Sequence, residues 1–88
     1  MRIRIHRTGG FAGIERRAEL DTAGRSDAAD WHDLAARAVA AGRDAPPSRV
    51  PDGFAYRITV DDRTVHCADP QLSEAQRELI SRLLGEGA

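Results

Sequence analysis

At the start of the chain, Met1, Ile3 and Ile5 alternate with Arg2, Arg4 and His6. A period of two is what a strand shows when one face packs on a core and the other meets water, so a first strand is predicted here. After Thr8-Gly9-Gly10-Phe11-Ala12-Gly13 the alternation resumes, with Ile14, Arg16, Ala18 and Leu20 opposite Glu15, Arg17 and Glu19. This is a second strand, and Arg16 is an anomaly on its apolar side. The three glycines between the strands lack a Cβ and tolerate positive φ, so the connection reads as a hairpin loop with an unusual backbone course.

Thr22 to Asp27 is polar and turn-like, and Ser26 or Asp27 is placed to cap the free N–H groups of a helix. Trp31, Leu34, Ala35, Ala38 and Val39 then follow at i, i+3, i+4, i+7 and i+8, while Asp30, Asp33 and Arg37 occupy other faces. That spacing gives a helix with one narrow apolar stripe. Gly42 is expected to end it in a left-handed conformation. The stretch Gly42 to Gly53, which carries Pro46, Pro47 and Pro51, reads as a surface connection.

Phe54, Tyr56, Ile58 and Val60 alternate with Ala55, Arg57 and Thr59, and aromatic and β-branched side chains suit a half-buried pleated surface. Asp61-Asp62 makes a short turn, and Val65 and Cys67 then alternate with Thr64, His66 and Ala68 in the second arm of a hairpin. Asp69-Pro70 breaks the strand. Ser73 and Gln76 have capping-box spacing, which starts a helix at Glu74. Its stripe is Leu72, Gln76, Leu79, Ile80, Leu83 and Leu84, Gly85 is its expected stop, and Glu86 to Ala88 are expected to fray.

The order is therefore ββαββα, and the fold class α+β. Each helix has a single apolar stripe, so laying both on one face of a four-stranded antiparallel sheet buries both stripes and leaves the other face wet. At 88 residues the chain is expected to form one domain, 1–88. A domain of this size hides roughly 60–65 % of its unfolded surface, which favours a surface site over a deep catalytic pocket.

Charge narrows the partners. Thirteen basic and fourteen acidic residues give a formal charge of −1, so the overall field does not attract polyanions, and nucleic acid is not expected. Arg2, Arg4, His6 and Arg7 form a local basic row, but Glu15, Glu19 and Asp21 follow closely, so the row reads as a solvated strand face. The same basic residues interrupt any signal-peptide core, and no run approaches the roughly 20 apolar residues of a membrane span. A cytoplasmic protein without a membrane partner is expected. Cys67 is the single cysteine, so no disulfide staples the chain.

Candidate chemistry is sparse. His66 and Cys67 are adjacent, but neighbouring strand residues point to opposite faces, which argues against a nucleophile–base dyad. His6, His32 and His66 lack the partner spacing of a zinc site, and Asp61 and Asp62 read as turn residues. Gly9-Gly10-Phe11-Ala12-Gly13 lacks a P-loop lysine and precedes a strand instead of a helix N-terminus. Trp31 reads as core. No enzyme, metal or cofactor is expected.

Met1 to Ile5 followed by Arg7-Thr8-Gly9-Gly10-Phe11-Ala12-Gly13-Ile14 resembles the opening pattern of the emfourin family, inhibitors of protealysin. The resemblance extends through Leu20-Asp21-Thr22, the strand Phe54 to Val60 and the leucine-rich terminal helix, and departs at Gly42 to Gly53. It implies a bacterial protein inhibitor that occupies the active-site cleft of a thermolysin-like (M4) zinc metallopeptidase; a monomer is expected. Thermolysin-like enzymes prefer bulky apolar residues beside the cut, so Phe11 in the glycine loop is the candidate anchor. The segment Thr8, Gly9, Gly10, Phe11, Ala12 and Gly13, together with Arg57, is the expected protease-binding set. The alternative is a non-catalytic interaction or oligomerisation domain that pairs through its wet sheet face or an open edge strand.

Overall fold

The N-terminal alternation forms β1 (Arg2–Gly9), which pairs antiparallel with β2 (Arg16–Asp21) in the register Ile3↔Leu20 and Ile5↔Ala18. Helix α1 (Ala28–Ala40) follows, then β3 (Phe54–Val60), β4 (Arg63–Ala68) and helix α2 (Glu74–Gly87). The computed structural model describes residues 1–9, 15–45, 53–68 and 71–87. The sheet runs β2-β1-β3-β4 and every neighbouring pair is antiparallel, so the expected ββαββα, α+β architecture is what is found. The junction between the two hairpins is made by the first strand, with Ile3 opposite Val60 and Ile5 opposite Ile58.

One face of the sheet is apolar. Ile3, Ile5, Ala18, Tyr56, Ile58 and Val65 form a single cluster with Trp31, Leu34, Ala35, Ala38 and Val39 of α1 and Leu79, Ile80, Leu83 and Leu84 of α2. Leu20, Val60, Cys67 and Leu72 seal its margin. Both predicted helical stripes are therefore the buried stripes, and both helices lie on the same side of the sheet. Burying a side chain such as Leu34 or Leu79 contributes about 1.5–3 kcal/mol, and this one layer holds the domain together.

Polar groups fix the helices to that layer. Ser73 and Gln76 form the expected capping box: the Ser73 N–H donates to Gln76 Oε1 at 2.9 Å, and the Gln76 N–H donates to Ser73 Oγ at 3.1 Å. Gln76 is 1 % exposed, and its Nε2 donates to the Ala38 carbonyl at 3.2 Å, tying the start of α2 to the end of α1. At the other end of α2, the anomalous Arg16 donates from a guanidinium nitrogen to the Leu84 carbonyl at 3.3 Å. A cation there also meets the negative end of the helix dipole. Thr22, 1 % exposed, donates its hydroxyl to the Met1 carbonyl at 3.1 Å and accepts from His32 Nε2 at 2.9 Å, joining the sheet edge to α1.

Four local expectations are corrected. Thr8 and Gly9 belong to β1, opposite Ala55 and Phe54, instead of to the loop. Asp27 stands at the N-cap of α1 but makes no side-chain capping bond. Its carboxylate accepts from Arg25 at 2.8 and 3.1 Å and from the indole Nε1–H of buried Trp31 at 3.0 Å. Gly42 is not left-handed. Instead, a Cβ at Gly42 would overlap the Val65 side chain, because Arg43 is bonded in both directions to His66 (2.9 and 2.7 Å) and holds the backbone against β4. Helix α2 continues through Gly85 to Gly87, since burial of Leu83 and Leu84 holds its last turns on the sheet.

The β3–β4 turn has the expected position, and its non-glycine positive φ, 55° at Asp61, has a local cause. The Asp61 N–H donates to the Arg2 carbonyl at 2.9 Å, and its Oδ1 accepts the Arg2 N–H at 3.0 Å. Among the described residues no helix is long and apolar enough to cross a membrane.

Three consequences are measurable. Gly42→Ala should lower the stability read from urea unfolding by about 1–3 kcal/mol, because the added methyl must displace Val65. Gly85→Ala should raise it by roughly 0.5–1 kcal/mol, since the site is helical and a Cβ there meets nothing within 4 Å. The hydrogen bonds from Arg25, joined by the one from Trp31, outweigh partial desolvation and lower the Asp27 pKa from 3.8 to about 2. A folded-state pKa below the unfolded one means that the carboxylate's contribution is complete above about 3.8 and is lost as pH falls through about 2. Thermal melts of Asp27→Asn should lack that component of the acid destabilisation seen in the parent chain.

Candidate protein-interaction site

Alternation places a second set of β1 and β3 side chains on the helix-free face: Arg2, Arg4, His6 and Thr8 from β1, and Ala55, Arg57 and Thr59 from β3. Register then brings Arg57 opposite His6 and Thr8 opposite Ala55. Thr8, Gly9 and Arg57, far apart in sequence, thus meet at one end of the sheet. Gly10, Phe11, Ala12 and Gly13 lie outside the described residues.

Gly9 is the last residue of β1 and has φ +90°, with Phe54 as its partner. A Cβ at Gly9 would stand 3.2 Å from the Gly53 carbonyl oxygen. Glycine is required here on two counts, backbone conformation and close approach. The expected glycine-dependent course of the connection therefore begins inside the sheet, at a position held by the ladder to β3.

The helix-free face is electrostatically organised around His6. Arg57 donates to His6 Nδ1 at 3.1 Å, and a guanidinium can only donate, so Nδ1 is the acceptor and Nε2 carries the hydrogen. His6 Nε2 donates to Glu15 Oε2 at 3.2 Å. Arg17 lies 3.7 Å from the same oxygen, with its side chain 74 % exposed. The chain Arg57–His6–Glu15–Arg17 crosses three strands. Of these four the sequence places Arg57 in the binding set and marks Glu15 as a neighbouring charge, while the link through His6 depends on the β1–β3 register, which no local pattern carries.

On the helix side of the same end, the Arg7 guanidinium lies 4.1 Å from the centre of the Phe54 ring. Its Nε is buried and finds no hydrogen-bond acceptor among the described residues. The cation–π contact offsets part of the cost of burying this group. Phe54 in turn stands at 6.4 Å and a tilted 60° to Tyr56.

The remaining candidates separate. His66 lies on the helix-free face and Cys67 packs at the core margin, as expected of neighbours in a strand. His32 is on α1 with Thr22. Among the described residues no three His, Cys, Asp or Glu side chains are grouped so as to hold a metal ion. The arrangement offers donors, charges and a stiff strand end to another molecule's surface.

Against that geometry, the sequence model of the Emfourin family matches residues 5–84, which is nearly the whole chain. Comparison with curated proteins and with solved structures returned no match.

The strain argument at the strand end has a direct check. Gly9→Ala should destabilise the fold by at least about 1 kcal/mol in chemical denaturation, whereas Thr8→Ala, on the polar face with ordinary strand geometry, should stay within about 0.5 kcal/mol of the parent.

Proposed function

The chain belongs to the Emfourin family, a family of protease inhibitors, and on that premise we propose that it inhibits a thermolysin-like (M4) zinc metallopeptidase by occupying the active-site cleft. The contact is made by Thr8, Gly9, Gly10, Phe11, Ala12 and Gly13, with Arg57 beside them, and one copy of the chain serves one peptidase. Phe11 enters the apolar pocket next to the catalytic centre, and the surrounding glycines let the enzyme approach the backbone closely.

The observation that supports this reading is the attachment of the segment. It leaves from Gly9 at the end of β1, a strand hydrogen-bonded on both sides, through Arg7↔Arg16 on one edge and Gly9↔Phe54 on the other. A rigid root lowers the entropy lost on docking, which is the main obstacle to tight binding by a short segment. Arg57, 3.1 Å from His6, presents its remaining donors beside that root. Charges in such a position act on approach and register more than on final affinity.

Titrating the pure protein into a thermolysin-like peptidase while following peptide hydrolysis tests the proposal. Activity should fall to a plateau near one-to-one stoichiometry, and Phe11→Ala should weaken inhibition by at least about 2 kcal/mol, roughly 30-fold. Undiminished hydrolysis at molar excess of the folded protein excludes the inhibitor role. Equal potency of Phe11→Ala excludes the anchor.

A further inference from the structure

The helix-free face carries more than the contact of Arg57 with His6. Arg17 on β2 stands opposite His6 on β1, His6 opposite Arg57 on β3, and Arg57 opposite His66 on β4. These four nitrogen-bearing side chains form one row across the whole sheet, about 14 Å long at the usual strand spacing. Beside it runs a second row, Glu19, Arg4, Thr59 and Thr64.

The acids on this face are already engaged. Glu15 is shared by His6 and Arg17, and Glu19 is paired with Arg2 at 3.1 Å. Among the described residues the Arg4 side chain makes no hydrogen bond or ion pair, and the Arg57 guanidinium donates only to a ring nitrogen. The two sit diagonally on adjacent strands, Arg4 opposite Thr59 and Arg57 opposite His6, so their side chains leave the same face roughly 7–8 Å apart at their roots. Thr59 and Thr64, bonded to each other at 3.0 Å, line the same surface.

Two guanidinium groups with no bonded carboxylate, lining an open concavity of the helix-free face together with His6, Arg17 and Glu19, match acceptors that arrive from outside. Nucleic acid is the poorer fit. A sheet that reads single strands stacks bases on exposed aromatics of its strands, and here the aromatics among the described residues, Phe54, Tyr56 and Trp31, lie on the helix side. Glu15 and Glu19 would also face the phosphates. Side-chain carboxylates can be spaced to avoid them.

We propose that the row Arg17–His6–Arg57–His66, with Arg4, is an interaction surface for an acidic stretch of a partner protein, whose carboxylates are taken by Arg4 and Arg57. The proposal rests on the inhibitor reading only in taking the occupant to be a protein.

The test uses the isotope-labelled full chain at low ionic strength, with a fluorescein-labelled oligoglutamate peptide as the probe. Amide shifts should concentrate at Arg4, His6, Arg17, Arg57, Thr59 and His66, and leave the helices in place. In anisotropy titrations, Arg4→Gln/Arg57→Gln should bind about tenfold more weakly or worse. The charge-matched control Arg77→Gln/Arg82→Gln, on exposed positions of α2, should bind within about twofold of the parent. No binding, shifts confined to the helices, an unaffected Arg4/Arg57 variant, or equally tight binding of oligothymidylate would each overturn the proposal. A chain that inhibits no thermolysin-like peptidase yet binds oligoglutamate through Arg4 and Arg57 keeps this surface and loses only the inhibitor reading.

Discussion

β1 is hydrogen-bonded along both edges, and the two edges differ in kind. Its pairing with β2 joins neighbours in sequence, whereas its pairing with β3 sets Ile3 against Val60 and encloses α1 and the proline-rich connection. Without the second pairing the chain is two hairpins with one helix each, and neither half has enough apolar surface to stand alone. With it, Ile3 and Ile5 become the floor on which both helices rest, and they are 0 % and 1 % exposed. The closure cost of so long a loop rises only slowly with length, so a few buried isoleucines and valines are sufficient to offset it.

Once that floor is set, the ends of the helices must be satisfied where they meet it, and the molecule does this with side chains from other elements. Gln76 serves its own cap and the Ala38 carbonyl together, and Arg16 reaches from β2 to Leu84. Asp27 is the informative departure. A carboxylate at that position could accept the free N–H groups of α1, yet it bonds instead to the buried indole of Trp31 and to Arg25. An indole N–H left unpaired in the core would cost more than an N-terminal N–H that water can reach, so the indole takes the carboxylate.

What could be read from the sequence follows the range of the interaction responsible. The stripes Trp31–Val39 and Leu72–Leu84, the four strands and the Ser73/Gln76 box are periodic or local, and each is found, with β1 running on to Gly9 and Ile14 outside the described residues. Gly42 and Gly85 were misread because a glycine after a helical stripe has the same local signature whether it supplies a left-handed turn, a close approach or nothing. The contact with Val65 that explains Gly42 comes from a strand more than twenty residues away. The candidate site divides in the same way. The glycine-rich strand end could be read at Gly9, while the row linking Arg17, His6, Arg57 and His66 required a register that only the folded sheet supplies.

One-sided burial also determines where such a small domain can act. With both helices committed to the apolar face, the side chains left to meet another molecule are those of the helix-free face and the strand ends. Two surfaces are then distinguished by their rigidity. The end of β1 at Gly9 is fixed by the ladder to β3, with the ladder to β2 reaching Arg7, and the face around Arg57 is fixed because every residue in the row belongs to a paired strand. A partner that meets either one encounters groups already in place, so little order has to be created on binding. The same central strand that closes the core therefore holds the strand end and aims the charges beside it, through alternate residues of one eight-residue segment.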